Sequence, residues 1–282
     1  MTVMDRRALV LGGGGVTGIA WETGLIAGLV GLGIELAAAD VIIGTSAGSL
    51  VGTDIACGQD LEALYQAQLA PPAPEPAARI GWGFIGRLLW DVHTSRDPKR
   101  ARARIGRWAL AVPSMPEADR RKVFQARLPT GVWPSRALKV TAVDARTGEF
   151  AVFDSAGDAS LVDAVGASCA VPGLWPPVTI GGRRFMDGGM RTVVNADLAH
   201  GYERVVIVAP VAVGIGFMAS PRRQAAALTA AGARVVLLRP DRAAVRAIGR
   251  NVLDVSRRAA AARAGRAQAA AEAPAVRAVW QA

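Results

Sequence analysis

The pentapeptide Gly44-Thr45-Ser46-Ala47-Gly48 fits G-x-S-x-G. A serine in that setting sits on a sharp strand-to-helix turn, where small neighbours allow strained backbone dihedrals and push the hydroxyl outward as a nucleophile. The flanks agree: residues 40–43 read as a buried strand entering the turn, and residue 50 onward to about 57 as the helix leaving it. The start of such a helix offers backbone N–H groups and the positive end of a dipole. Earlier in the chain, Gly13-Gly14-Gly15-Val16-Thr17-Gly18 fits G-x-G-x-x-G between a strand at 7–11 and helical spacing from 19 to about 32. Two chemistries suit that loop. It could cradle a dinucleotide, with Glu35 or Asp40 near the distance expected of a ribose-binding acid. Alternatively its amides could hold a developing oxyanion. A serine elbow on the next strand–turn–helix unit has no use in a dinucleotide fold, so the pair of motifs favours the oxyanion loop. A nucleotide- or NAD(P)-binding enzyme is the alternative, as is a catalytically inactive lipid-binding protein. No lysine follows the glycines, which excludes a Walker-type phosphate loop.

A serine nucleophile needs a base, and the chain holds two histidines, His93 and His200. His93 falls in an arginine- and tryptophan-rich middle segment, and His200 in a surface loop ahead of a strand. An aspartate could serve if burial raised its proton affinity and packing placed it against the hydroxyl. Asp187 ends a strand and precedes Gly188 and Gly189, but spacing alone does not separate it from Asp144, Asp154 or Asp163. Cys57 and Cys169 read as reduced, buried thiols. No clustered ligands point to a metal, and no cofactor is expected.

Positioning these groups requires a framework. Two strand–turn–helix units in the first sixty residues predict an α/β fold with a central, mostly parallel sheet flanked by helices. Strands return at 138–144 and 149–153 as a hairpin, and at 178–180 and 184–186 around Gly181-Gly182. Further buried strands are expected at 205–208 and 235–238, with a helix over 160–170. The whole chain reads as a single domain. It carries a variable helical cap or lid insertion over 58–136, with the Pro/Ala linker at 70–77 inside it, and a basic Ala/Arg-rich helical tail over 241–282. The first ten residues have no apolar segment of the leader type, so a cytoplasmic location is expected, with peripheral contact at a membrane.

The net charge of +10 is uneven along the chain. Residues 218–282 hold twelve arginines against three acids, and residues 79–107 hold eight basic residues against two acids. The positive charge is thus expected to lie apart from the catalytic motifs. Such patches suit an anionic lipid surface or nucleic acid alike, or a solvated arginine-rich exterior. With the hydrolase motifs in view, the expected partner is a lipid or ester substrate and no nucleic acid is expected. The Trp-containing basic segment 79–112 is the expected point of contact with an anionic membrane.

Taken together, Leu11–Gly18, Gly44–Gly48 and Asp187-Gly188-Gly189 resemble the patatin-like phospholipase family. The stretch Ala167–Val178 and Asn195 are also similar to what accompanies that aspartate there. The likeness covers 7–57 and 137–210 and fades over 58–136 and beyond 240. It implies a Ser46–Asp187 dyad without histidine, an oxyanion hole from the amides of Gly13, Gly14 and Gly15, and Gly18, Gly44, Gly48, Gly188 and Gly189 as supporting positions. It also implies hydrolysis of acyl esters of phospholipids and other lipids. Two departures stand out: Thr17 occupies a position where the family often carries Arg or Lys, and Trp21–Gly24 is one residue longer than the common pattern.

Overall fold

The computed structural model describes residues 5–71, 86, 90, 91, 94, 95, 97–214, 216 and 218–281. Among these residues eight strands form one sheet, and its backbone is the parallel run β3–β2–β1–β7–β8: Leu138–Asp144, Val41–Gly44, Arg7–Leu11, Arg204–Val208 and Arg234–Leu238. The first half of β3 pairs parallel to β2. Its second half pairs antiparallel to β6 (Arg183–Asp187), which continues to β5 (Val178–Ile180). β4 (Phe150–Phe153) folds back on β3 across the turn expected at 145–148.

The central strands β1 and β7 past their first residues, and β2 throughout, are apolar because both faces are covered. Leu9 and Leu11 of β1 enter one core cluster with α1 (Gly15–Gly31), α2 (Ala47–Ala56) and the C-terminal helix, while Ala8 and Val10 enter a second with Val194, Ala199 and Leu228. Period-two alternation thus feeds two separate helical layers.

Between α2 and β3 run α3 (Leu61–Leu69), α4 (Pro98–Ala111) and α5 (Glu117–Arg127). Asp60 and Asp97 cap α3 and α4 through their side chains. α5 packs on α6 (Leu161–Ser168), with Phe124 against Gly166. Of the Trp-containing basic segment 79–112, residues 79–85, 87–89, 92, 93 and 96 lie outside the described residues. The part from 98 onward is α4.

Past β7, α7 (Pro221–Ala230) precedes β8. The tail forms two helices, α8 (Arg242–Ile248) and α9 (Arg258–Trp280), where composition suggested continuous helix. Gly249 stops α8 with φ of 75°, a left-handed conformation that glycine adopts without penalty. α9 then lies against α1 at very short range: a Cβ on Gly24 would meet the Ala262 carbonyl, and one on Gly265 the Trp21 carbonyl. Trp21 Nε1 also donates to Gln268 Oε1 (3.2 Å). The tail is therefore part of the core layer, and its connection through residues 249–257 passes the glycine loop.

Candidate active site

β2 delivers Ser46 at its C-terminal end, and α2 begins at the next residue. Ser46 has φ of 52° and ψ of −118°, a conformation costing about 1–3 kcal/mol that only surrounding contacts can sustain. Those contacts are present. The Ser46 N–H donates to Ser168 Oγ (2.8 Å), and the Ser46 carbonyl accepts from Ser49 N–H (2.8 Å) and the Ser49 hydroxyl (2.6 Å). Gly48 N–H donates to the Gly12 carbonyl (2.9 Å), tying the elbow to the glycine loop. Gly44 and Gly48 are packed too closely for any side-chain carbon.

The register of β6 on β3 sets Asp187 opposite Ala142, and its N–H is fixed to the Ala170 carbonyl (3.0 Å). Ser46 Oγ donates to Asp187 Oδ2 at 2.7 Å, while Oδ1 accepts from Gly189 N–H, also at 2.7 Å. Asp187 is 3% exposed. Burial raises its pKa from 3.8 to about 6, with the Ser46 and Gly189 hydrogen bonds holding it back. A carboxylate in that state is ionised at neutral pH yet has gained proton affinity, which suits a base acting directly on a hydroxyl.

Asn195 joins the two segments from below. Its Nδ2 lies within hydrogen-bonding range of Thr45 Oγ1 (3.1 Å), Thr141 Oγ1 (3.3 Å), the Gly188 carbonyl (3.2 Å) and the Thr192 carbonyl (2.9 Å). Thr45 precedes the serine and Gly188 follows the aspartate, so one buried amide spans both. The residue stands in the left-handed region with φ of 49°, which asparagine tolerates better than most side chains.

The glycine loop does not offer all its amides equally. Gly12 N–H donates to the Val208 carbonyl (2.9 Å) and to Glu22 Oε1 (3.1 Å), and Gly13 N–H donates to the Val193 carbonyl (2.7 Å). Among the described residues no such partner meets the N–H of Gly14, Gly15 or Ala47. Gly13 is thus a structural member of the loop, its Cα facing Ser46, and the free donors lie at Gly14, Gly15 and Ala47. Glu22 is fully buried behind the loop, and burial drives its pKa well above the usual carboxylate range.

Ser46 opens into a cavity of about 340 Å³ whose walls include Ile19, Leu50, Phe124, Val171, Trp175 and Leu253. Arg120, Arg127 and Arg258 also line it. Linear charge distribution placed the basic residues away from the chemistry, whereas folding brings three arginines from α5 and the start of α9 to the same pocket. Cys169 lines it too, its thiol pushed up to about 12 by burial and the nearby Asp187 charge, so it stays protonated.

The competing candidates fall elsewhere. His200 is exposed before β7, at the N-terminal edge of a sheet whose C-terminal edge bears Ser46; His93 lies outside the described residues. Asp144 is engaged with Arg183 (2.8 Å), Asp163 with Arg121 (2.7 Å), and Asp154 caps a turn through the Ala156 N–H. Glu35 and Asp40 precede β2, so they too sit at the edge opposite the glycine loop, out of reach of a ribose held there. Ser168 and the pocket arginines went unnoticed in the sequence. Ser168 carries no signal beyond lying in the stretch that contains Cys169, and the arginines carry none at all.

The family model described as Patatin-like phospholipase matches residues 9–200 of the chain. Among solved structures, VipD from Legionella pneumophila is similar at 16% identity and a TM-score of 0.41, over 74% of this chain and 51% of that one. The type III effector protein ExoU is similar at 18% identity and a TM-score of 0.37, over 94% of this chain and 53% of that one. The chain thus spans about half the length of each.

Proposed function

The chain belongs to the patatin-like phospholipase family, and from that premise we propose that it is a lipid acyl hydrolase that cleaves carboxylic esters through Ser46 and Asp187. The observation that carries the reading is the 2.7 Å hydrogen bond from Ser46 Oγ to a carboxylate that burial has made more basic. In the forward step Asp187 Oδ2 takes the hydroxyl proton as Oγ attacks the ester carbonyl. The amides of Gly14, Gly15 and Ala47 receive the oxyanion, and the alcohol departs with the proton from Asp187. Water then attacks the acyl-serine, Asp187 takes its proton, and the carboxylic acid leaves as the proton returns to Ser46. Asn195 and Ser168 hold the two reacting segments in register.

The test is activity on a chromogenic ester together with fluorophosphonate labelling and peptide mapping. Ser46→Ala and Asp187→Asn are expected to lose turnover, His200→Ala to keep it, and the label to sit on Ser46. Collapse in His200→Ala alone would replace the dyad with a histidine-based mechanism.

The segment 58–136 is proposed as a cap, since α5 contributes Arg120 and Phe124 to the wall of the pocket. Peripheral membrane contact is proposed for its basic part, where Trp90 is 66% exposed. No helix among the described residues is long and apolar enough to cross a membrane.

A further inference from the structure

The wall of the Ser46 pocket depends on a piece of chain more than two hundred residues away. The connection from α8 into α9 contributes Leu253, Val255 and Arg258 to it. Thr17 fixes that connection in place: its N–H (3.0 Å) and its hydroxyl (3.2 Å) both donate to the Val252 carbonyl. Thr17 of the glycine loop is therefore an anchor, and a cation, Arg258, arrives on the segment that it anchors.

The charges in the pocket are one-sided. Three arginines line it, and no Asp or Glu is among the described residues of the lining. Arg127 is met from behind by Asp54 at 3.5 Å. Arg120 lies over Trp175, 3.7 Å from the ring centroid, a contact that orients its guanidinium. Arg258 donates to the Ala70 carbonyl (2.8 Å), and its Nε is buried without a hydrogen-bond partner among the described residues. A buried donor left unmet is costly unless something else satisfies it. Around these cations the lining is apolar, which suits an acyl chain.

We propose that Arg258, with Arg120, receives a phosphate or carboxylate on the substrate itself, so that the preferred substrates are acyl esters of net anionic amphiphiles. The proposal rests on the hydrolase reading of the same pocket. A guanidinium matches the oxygens of such a group with two parallel hydrogen bonds. A zwitterionic headgroup brings an ammonium into the same space, where no described residue of the lining offers a carboxylate and arginines repel it. An ester without charge leaves the Arg258 donor unmet.

The experiment uses the full chain and short lipids kept monomeric, so that the charge of an aggregate surface plays no part. Dihexanoyl phosphatidylglycerol and dihexanoyl phosphatidylcholine are compared, with p-nitrophenyl butyrate as the uncharged ester. The wild type is expected to prefer the anionic lipid by about tenfold or more in kcat/KM, the worth of one charge-assisted hydrogen bond. Arg258→Gln should collapse that ratio toward one, chiefly through KM, and Arg258→Lys should restore part of it. Arg120→Gln should reduce it as well. Equal rates on the two lipids in the wild type, or an equal loss on all three esters in Arg258→Gln, would overturn the assignment.

Hexyl phosphate, followed by tryptophan fluorescence, reads the receptor without turnover and should saturate the wild type but not Arg258→Gln. Inorganic phosphate binding as tightly as hexyl phosphate would assign the arginines to a free anion and overturn the proposal. Turnover of no ester, with hexyl phosphate still bound, would sink the hydrolase reading and with it the substrate class. Turnover without charge preference would sink the substrate class alone.

Discussion

Replacing Asp187 by Asn keeps the shape of the side chain while removing its charge and its capacity to accept a proton. The amide oxygen can still accept from Gly189 N–H, and the amide nitrogen can face Ser46 Oγ, so the local packing survives. Turnover should fall by about a thousandfold or more, as for loss of a base that acts on the nucleophile. Stability should move the other way. The folded-state pKa of Asp187 is raised from 3.8 to about 6, so its contribution to stability is full below 3.8 and is lost as pH rises through about 6. At about pH 8 the ionised carboxylate costs the folded protein about 3 kcal/mol that a neutral asparagine does not incur. For a chain of this size that corresponds to a rise in Tm of about 6–12 °C as an upper bound. The measurement is a pair of melting curves, wild type and Asp187→Asn, at about pH 8 and about pH 4. The advantage of the variant should be largest at the higher pH and nearly gone at the lower one. Glu22 and Asp54 also carry raised pKa values, but both proteins share them and their effect cancels. A variant that melts at or below the wild type at both pH values would refute the account of a buried base whose charge is held at a cost.

Three further predictions concern the same site. With Asp187 required in its ionised form, kcat/KM should rise with pH through about 6 and level off above it; a flat profile down to about pH 4.5 would remove Asp187 as the titrating base. In Gly14→Ala the new Cβ would lie 2.5 Å from the Pro210 Cβ and 2.8 Å from the Gly18 Cα, so the loop must shift. Loss of an aligned oxyanion donor costs about 3 kcal/mol of barrier, roughly a hundredfold in kcat, with fluorophosphonate labelling slowed in parallel. Asn195→Ala leaves Thr45, Thr141 and the Gly188 carbonyl short of a donor; melting should show a loss of about 2–3 kcal/mol, and kcat should fall although Asn195 touches no substrate.

Much of the fold was legible because its signals are local. The apolar runs of β1, β7 and β8, the Gly181-Gly182 turn between β5 and β6, and the small residues around Ser46 each specify their own backbone without help from distant parts. Less legible were the ends of α1 and the break in the tail. α1 begins at Gly15, ahead of the apolar spacing that marked it, because the glycine loop turns directly into the helix. Gly249 did not stand out in a tail whose composition suggested continuous helix, and its effect, sending residues 252–255 past the glycine loop, depends on where α9 docks.

The site divides along the same line. The type and spacing of residues 44–48 determine a strained serine at a strand–helix turn, because the chemistry of a turn is set by its own few side chains. Nothing in the sequence distinguished Asp187 from Asp144, Asp154 or Asp163 on physical grounds, since a carboxylate acquires basicity only from the burial and the neighbours that the fold supplies. The register of β6 on β3 placed that carboxylate 2.7 Å from the hydroxyl, and the layers around it removed the water. The arginines of the pocket and the sorting of the loop amides into bonded and free were likewise decided by tertiary structure. Contact between residues far apart in the chain is a property of packing, and packing has no local sequence signature.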